Sequence, residues 1–245
     1  MERELFEEML SLEDSHWWLL GRGRLLLALV ERECARRGGH VGRVVDVGSG
    51  TGTLLRSFGR LADEAIGVES DPVPLLMSRA RGLDVREARA DGLPFADASV
   101  DVLTAFDVLE HLPDDLAAAR EFRRILRPGG VAVVSVPAYA WLWSGHDVIH
   151  GHQRRYTVGR LRTMLREAEL DVTAAGYFNS FLLPFAVAQR LSLRLFRRAV
   201  QSDLKPTAPG LNSVLLKILR AEQRFVLRGG FPAGLTVFAT AQRPA

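Results

Sequence analysis

Four acidic residues, Asp46, Glu69, Asp91 and Asp107, each stand at the end of an expected strand, and the first stands two residues ahead of Gly48-Ser49-Gly50-Thr51-Gly52. Glycines at alternate positions between a strand and a helical run let backbone N–H groups approach a ligand where a Cβ would clash. The start of the following helix adds a favourable dipole. The chemistry on offer is therefore recognition of a polar ligand. Asp46 sets its sign, because a carboxylate there repels a pyrophosphate and suits a cationic amino group. The dinucleotide fingerprint Gly-x-Gly-x-x-Gly/Ala also wants a small residue where this chain has Thr53, which disfavours a nicotinamide oxidoreductase. Glu69, at the end of Ile66-Gly67-Val68-Glu69, is placed to accept from two ribose hydroxyls. Asp91 of Ala90-Asp91-Gly92 suits an exocyclic adenine amine.

These residues need a scaffold that brings successive strand ends to one edge. Short apolar strands at 44–47, 65–69, 84–90, 100–106 and 131–137 alternate with helical patterns at 53–61 and 73–81. That alternation argues a parallel sheet with right-handed crossovers and a ligand at its carboxyl edge. Arg127-Pro128-Gly129-Gly130 reads as a helix stop and turn, and Thr157 as the N-cap of a helix over 158–168. Two last strands are expected at 172–177 and 235–241. Between them, residues 178–232 hold two helical patterns, far longer than an ordinary connection, which marks a helical insertion. Residues 1–40 form a helical N-terminal segment ending at Gly38-Gly39, and 41–245 the main domain.

Composition narrows the function. The 245 residues carry a formal charge of +3 with only Lys205 and Lys217 as lysines among 32 basic residues. Without a basic block or a nucleic-acid motif, a nucleic-acid partner is not expected. A single cysteine, Cys34, an acidic amphipathic start at Met1-Glu2-Arg3-Glu4, and no run of 18 apolar residues point to a cytoplasmic chain.

Taken together, the motifs resemble those of class I S-adenosylmethionine-dependent methyltransferases. Asp46-Val47-Gly48-Ser49-Gly50-Thr51-Gly52 is similar to the family's first motif, Glu69 to its ribose acid, and Asp91-Gly92-Leu93-Pro94-Phe95 to its adenine segment. Phe106-Asp107-Val108-Leu109-Glu110-His111-Leu112 resembles the fourth-strand motif, and Leu126-Arg127-Pro128-Gly129-Gly130 the turn before the fifth strand. The resemblance implies a doubly wound, Rossmann-like, seven-stranded mixed sheet with its last strand antiparallel. It implies that Asp46, Gly48 and Gly50, with Ser49 and Gly52, hold the methionine part of S-adenosylmethionine. Glu69 and Ser70 would hold the ribose, Asp91 and Gly92 the adenine, and Phe106 and Asp107 would line the donor beside its sulfonium.

For the acceptor, His16-Trp17-Trp18 with Arg22 resembles the N-terminal lid of quinone-biosynthesis-type methyltransferases. Trp17 and Trp18 then face the acceptor, and Arg22 meets the donor carboxylate. After the fifth strand come Tyr139, Trp143, His146, His150, His152, Arg155 and Tyr156. His146 and His150 have the i,i+4 spacing of a metal pair, but flanking glycines make a helix insecure there, and no metal is expected. His152, and after it His111, are assigned to contact with the acceptor or to proton removal. Within the insertion, Phe181, Phe185, Arg190, Arg194, Arg197 and Arg198 make an amphipathic basic helix. It suits an amphipathic acceptor or peripheral contact with the inner membrane face. The expected activity is methyl transfer to oxygen or carbon of a small, quinone-like or lipid-linked acceptor by a monomer or homodimer. The alternative is a catalytically silent S-adenosylmethionine-binding accessory protein.

Overall fold

Near-continuous apolar runs in the central strands give the sheet two buried faces. In the computed structural model, which describes residues 3–195 and 207–245, seven strands form one sheet. They are β1 (Val41–Val47), β2 (Ala62–Glu69), β3 (Val85–Glu87), β4 (Val100–Phe106), β5 (Leu126–Pro137), β6 (Asp171–Phe178) and β7 (Thr236–Gln242). Their order is β3-β2-β1-β4-β5-β7-β6. β7 runs antiparallel to β5 and β6, and the other pairs are parallel. This is the doubly wound mixed sheet expected from the sequence. The direction of winding reverses between β1 and β4, which pair Asp46 with Thr104 and Val47 with Ala105. A reversal of that kind opens a crevice beyond the strand ends.

Nine helices complete the described fold: α1 (Arg3–Leu12), α2 (Trp17–Ala35), α3 (Leu55–Phe58), α4 (Pro72–Ala80), α5 (Asp115–Ile125), α6 (Gly145–Ile149), α7 (Val158–Glu167), α8 (Leu183–Leu195) and α9 (Pro209–Val226). On one face Val45, Val47, Leu103 and Val134 pack with Ala118, Phe122 and Ile125 of α5 and Leu161 and Leu165 of α7. On the other, Val44, Val102 and Val131 meet Val30 and Cys34 of α2, Phe58 of α3 and Leu75 of α4. Leu25, Leu26 and Leu29 of α2 continue this layer against Val133, Phe178, Val226 and Phe238. Most of residues 1–40 therefore acts as a covering layer of the sheet, while α1 packs against α4 and Glu13 of the α1–α2 junction reaches Thr53 after the glycine turn.

Several local expectations shift. α3 is a single turn of helix, because Gly48, Gly50 and Gly52 all take positive φ and delay regular helix until Leu55. β3 is confined to three residues at the sheet edge. The Arg127–Gly130 stretch turns as expected after α5 ends at Ile125, bulging out of β5 between the pairs Val100–Leu126 and Val102–Val131. Gly129 N–H donates to Arg243 O and Arg243 N–H to Gly130 O, both at 2.9 Å, which ties the bulge to the chain beyond β7. Gly130 is needed there, since a Cβ would stand 2.9 Å from Arg127 O and 3.0 Å from Val100 O. Thr157 caps α7 as expected, accepting from Arg160 N–H at 3.2 Å.

In the 178–232 region, α9 lies on α2 closely enough that a Cβ on Gly21 would meet Leu219 Cδ1 at 2.4 Å. Asn212 binds both sides of the α2 start: its Oδ1 accepts from Trp17 N–H at 2.8 Å and its Nδ2 donates to Ser15 O at 3.0 Å. The Arg194 side chain and Arg197 and Arg198, expected on a basic face, lie outside the described residues. No helix among the described residues is long and apolar enough to cross a membrane.

Candidate functional site

The crevice is floored by the glycine turn. Gly48 and Ser49 donate backbone N–H to Val68 O at 2.8 and 3.1 Å, and Gly52 N–H closes the turn on Ser49 O at 2.9 Å. Gly48 has φ +68°, and a Cβ on it would lie 2.4 Å from Val108 Cγ2. Gly48→Ala should therefore cost about 2 kcal/mol or more, from left-handed strain plus the clash. The expected result is a melting temperature several degrees lower together with weaker donor binding, read by calorimetry; an unchanged protein would show that the turn tolerates a side chain.

Asp46 lies beneath this turn with only 4% of its surface exposed, and Thr104 Oγ1 donates to its Oδ1 at 2.5 Å. Burial, together with the charge on Glu69 and against the Thr104 hydrogen bond, pushes its carboxyl up to about 7. A raised carboxyl binds a proton in the folded chain that the unfolded chain gives up near pH 4. Stability assignable to Asp46 thus falls as pH rises from about 4 to 7. In ligand-free protein, Asp46→Asn should gain stability over wild type on the order of 2 kcal/mol more at pH 8 than at pH 5. A melting-temperature difference that does not vary with pH would refute this.

Glu69 is held by three backbone donors: Ser70 N–H at 2.8 Å and Asp71 N–H at 2.9 Å on Oε1, and Gly50 N–H at 2.9 Å on Oε2. It locks the glycine turn to the start of α4, where Asp71 accepts from Val73 N–H at 2.9 Å as the N-cap. Asp91 stands on the surface in a forked pair with Arg89, both contacts at 2.9 Å, and that pair holds its carboxyl below the usual range. Gly92 beside it is exposed.

Asp107, at φ +57° after β4, pairs with Arg22 of α2 at 2.6 Å, and Arg22 also reaches Ser135 Oγ at 3.3 Å. Arg22, expected at the donor carboxylate, is placed here against Asp107. Glu13, which sequence reasoning passed over, ties the α1 end to the turn. Its carboxylate accepts from the Thr53 hydroxyl and pairs with Arg81 at 2.7 Å, while Arg81 donates to Thr51 O at 3.0 Å. An acid in the short link between α1 and α2 carries no motif, so only the folded contacts reveal it. Trp17 and Trp18 sit half-buried at the start of α2, edge to face at 5.7 Å.

The histidine segment folds onto the short 3-10 turn Leu109–His111. Gln153 N–H donates to Glu110 O at 2.7 Å, and Gln153 Nε2 to His111 O at 2.9 Å. The rings of His111 and His152 meet edge to face at 4.8 Å, with His150 6.0 Å from His152. Asp147, fully buried, holds His152 Nδ1 at 2.9 Å and takes Arg155 in a two-point pair at 2.6 and 3.0 Å. Burial first, then His152, lowers the His111 imidazole; burial, then the Asp107 charge, raises the Glu110 carboxyl well above its ordinary value.

The remaining acceptor candidates are distributed differently. Arg155 is spent on Asp147 and on Ala138 O at 3.0 Å. Tyr156 is in the core, its hydroxyl donating to Asp115 Oδ2 at 2.7 Å. Tyr139 stacks between Trp141 and Tyr177 at 5.5 and 5.2 Å, with its hydroxyl pushed up to about 12 by burial and by Tyr177. Trp143 is half-buried. The His146 side chain lies outside the described residues. Glu110 and Asp147 join the cluster although neither was singled out from sequence; the Glu110-His111 pair inside the fourth-strand motif was the available signal.

Does this crevice fit a sulfonium nucleoside? A buried carboxylate with a neutral hydroxyl as its partner, a glycine cradle, and Ser49 Oγ buried without a hydrogen-bond partner make a site prepared for a polar, cationic ligand. Sheet order and crevice together have the form of the class I methyltransferase fold. The model of the methyltransferase-domain family matches residues 19–175, and the chain belongs to that family.

An uncharacterised methyltransferase of Mycobacterium sp. (strain KMS) is 42% identical over 106 residues, which are 42% of this chain and 42% of that protein. A Mycolicibacterium smegmatis protein named "Probable S-adenosylmethionine-dependent methyltransferase" is 32% identical over 164 residues, 65% of this chain and 61% of its own length. The chain thus spans less than two thirds of the relatives it matches. An S-adenosylmethionine-dependent methyltransferase structure from Thermotoga maritima covers 99% of this chain and 100% of its own at TM-score 0.59 and 20% identity, a likeness of fold.

Proposed function

We propose that this chain transfers a methyl group from S-adenosylmethionine to oxygen or carbon of a small or amphipathic acceptor. The observation that carries the reading is the strand-edge set: buried Asp46 under the glycine turn, Glu69 fixed by three backbone N–H groups, and Asp107 across the crevice. The donor brings the methyl group on a sulfonium whose leaving group is a neutral thioether. Asp46 binds the cationic amine, Glu69 accepts from the ribose hydroxyls, and Phe106 with Asp107 borders the reacting end.

Because a neutral leaving group needs no acid, the protein's main contribution is alignment and exclusion of water. His152, oriented by Asp147, and His111 are the groups assigned to the acceptor. An amphipathic acceptor is favoured by exposed Leu211, Val214 and Phe225 on α9, with Arg220 and Arg224 exposed on the same helix, and by exposed Phe185 on α8. Calorimetry should show saturable binding of one S-adenosylmethionine per chain, with no comparable rise in melting temperature from NAD or NADP. Absence of donor binding by folded protein would sink the proposal.

A further inference from the structure

Glu110 is fully buried, and neither carboxylate oxygen has a hydrogen-bond partner. Burying an unpartnered carboxyl is costly, so something is owed to it. Ligand atoms of Glu110, His111 and His152, one from each residue, lie within 4.8 Å of one another. Atoms bound tetrahedrally to one ion at about 2.1 Å stand about 3.4 Å apart, so closing the set takes a contraction of roughly 1.4 Å along its longest edge, within reach of side-chain rotation. The two imidazoles are oriented from behind: Asp147 Oδ1 takes Nδ1 of His152, and His111 has a hydrogen bond to the His150 backbone. A carboxylate or carbonyl behind each ring is the usual support of metal-ligating histidines, since it fixes the tautomer and the ring plane.

We propose that Glu110, His111 and His152 bind one divalent transition-metal ion, whose open positions take an oxygen atom of the methyl acceptor. Two imidazoles and one carboxylate select an ion of the Zn2+ or Mn2+ kind over Ca2+. The trio differs from the His146–His150 pair offered by spacing, because the 3-10 turn after β4 supplies two of its members. Three protein ligands leave room for a substrate atom, and the site adjoins Asp107 at the reacting end of the donor. Held there, an acceptor hydroxyl loses its proton more easily, and His152 serves as ligand instead of base. The acceptor clause rests on the transferase reading; the ion site does not.

The test titrates chelator-treated protein with Zn2+ alone and with Mn2+ alone, by calorimetry and thermal unfolding. One equivalent should bind saturably and raise the melting temperature in proportion to the logarithm of ion concentration. Glu110→Gln and His111→Asn should each weaken binding at least tenfold, while circular dichroism and S-adenosylmethionine affinity show that the fold and donor site persist. No saturable binding of either ion to folded wild type, or the same affinity in Glu110→Gln, overturns the proposal. Loss of donor binding with ion binding intact would count against the proposed function and leave this site standing.

Discussion

Glu69→Ala weakens S-adenosylmethionine binding by roughly thirtyfold or more, and Asp46→Ala by at least as much. The Glu69 carboxylate is already anchored by Ser70, Asp71 and Gly50 N–H groups, which leaves one acceptor site, on Oε2, for a ribose hydroxyl; a second hydroxyl shares an oxygen with a backbone donor. Hydrogen bonds to a charged group are worth about 1.5–3 kcal/mol each. Removing the carboxylate also frees the glycine turn, because Gly50 N–H loses its acceptor. Asp46 acts through charge: an ammonium beside a buried carboxylate cannot be replaced by water once the crevice is filled. Calorimetric titration of both variants, with circular dichroism to establish folding, decides the matter. A dissociation constant within twofold of wild type for either variant removes that residue from the donor site.

The second large effect concerns stability. Asp147→Ala should lower stability by about 3–5 kcal/mol, because it leaves the Arg155 guanidinium buried and without its carboxylate. At roughly 2–4 °C per kcal/mol for a chain of this size, the melting temperature falls by about 10 °C. Arg155 keeps only the Ala138 carbonyl in the variant, and His152 loses the group on its Nδ1. Adding Arg155→Met to Asp147→Ala should recover part of the loss, since removing both charges is far cheaper than removing one. In wild type, burial raises the Asp147 carboxyl but His152 and Arg155 outweigh it, so its carboxyl sits far below the ordinary value. Its stabilisation is complete above the unfolded carboxylate range near pH 4 and drains away only in strong acid. A drop under 2 °C in Asp147→Ala, by scanning calorimetry, would contradict this account.

What the sequence made legible were features with local signatures. Strand ends announced themselves by an acid after an apolar run, and the glycine turn by its spacing. The seven-stranded mixed sheet with an antiparallel last strand followed from the resemblance, and the structure has it. Less visible were contacts between distant segments. Nothing near Glu13 foretells Arg81, and nothing near Arg22 foretells Asp107, because the partners meet only after the sheet is wound. Glu110 was hidden for a related reason: inside a motif already assigned to the donor, it read as part of that motif, and its missing hydrogen-bond partners exist only in the folded state. Arg155 and Tyr156 looked like acceptor contacts for their chemistry; burial spends their polar atoms within the protein.

The seam between α2 and the late part of the chain governs how the protein can be made. The apolar face of α2 is satisfied by Val133, Phe178, Val226 and Phe238, and Trp17 N–H finds Asn212 195 positions further on. During synthesis at about 5–20 residues per second, that helix waits roughly 10–40 s for its last partners. Until then Leu25, Leu26 and Leu29 are incompletely covered on the nascent chain, a hydrophobic strip within reach of a ribosome-associated chaperone. Truncation before α9 would remove Val226 and Phe238 from that cover, so yield in the cell depends on completing the chain as much as on the stability of the finished fold.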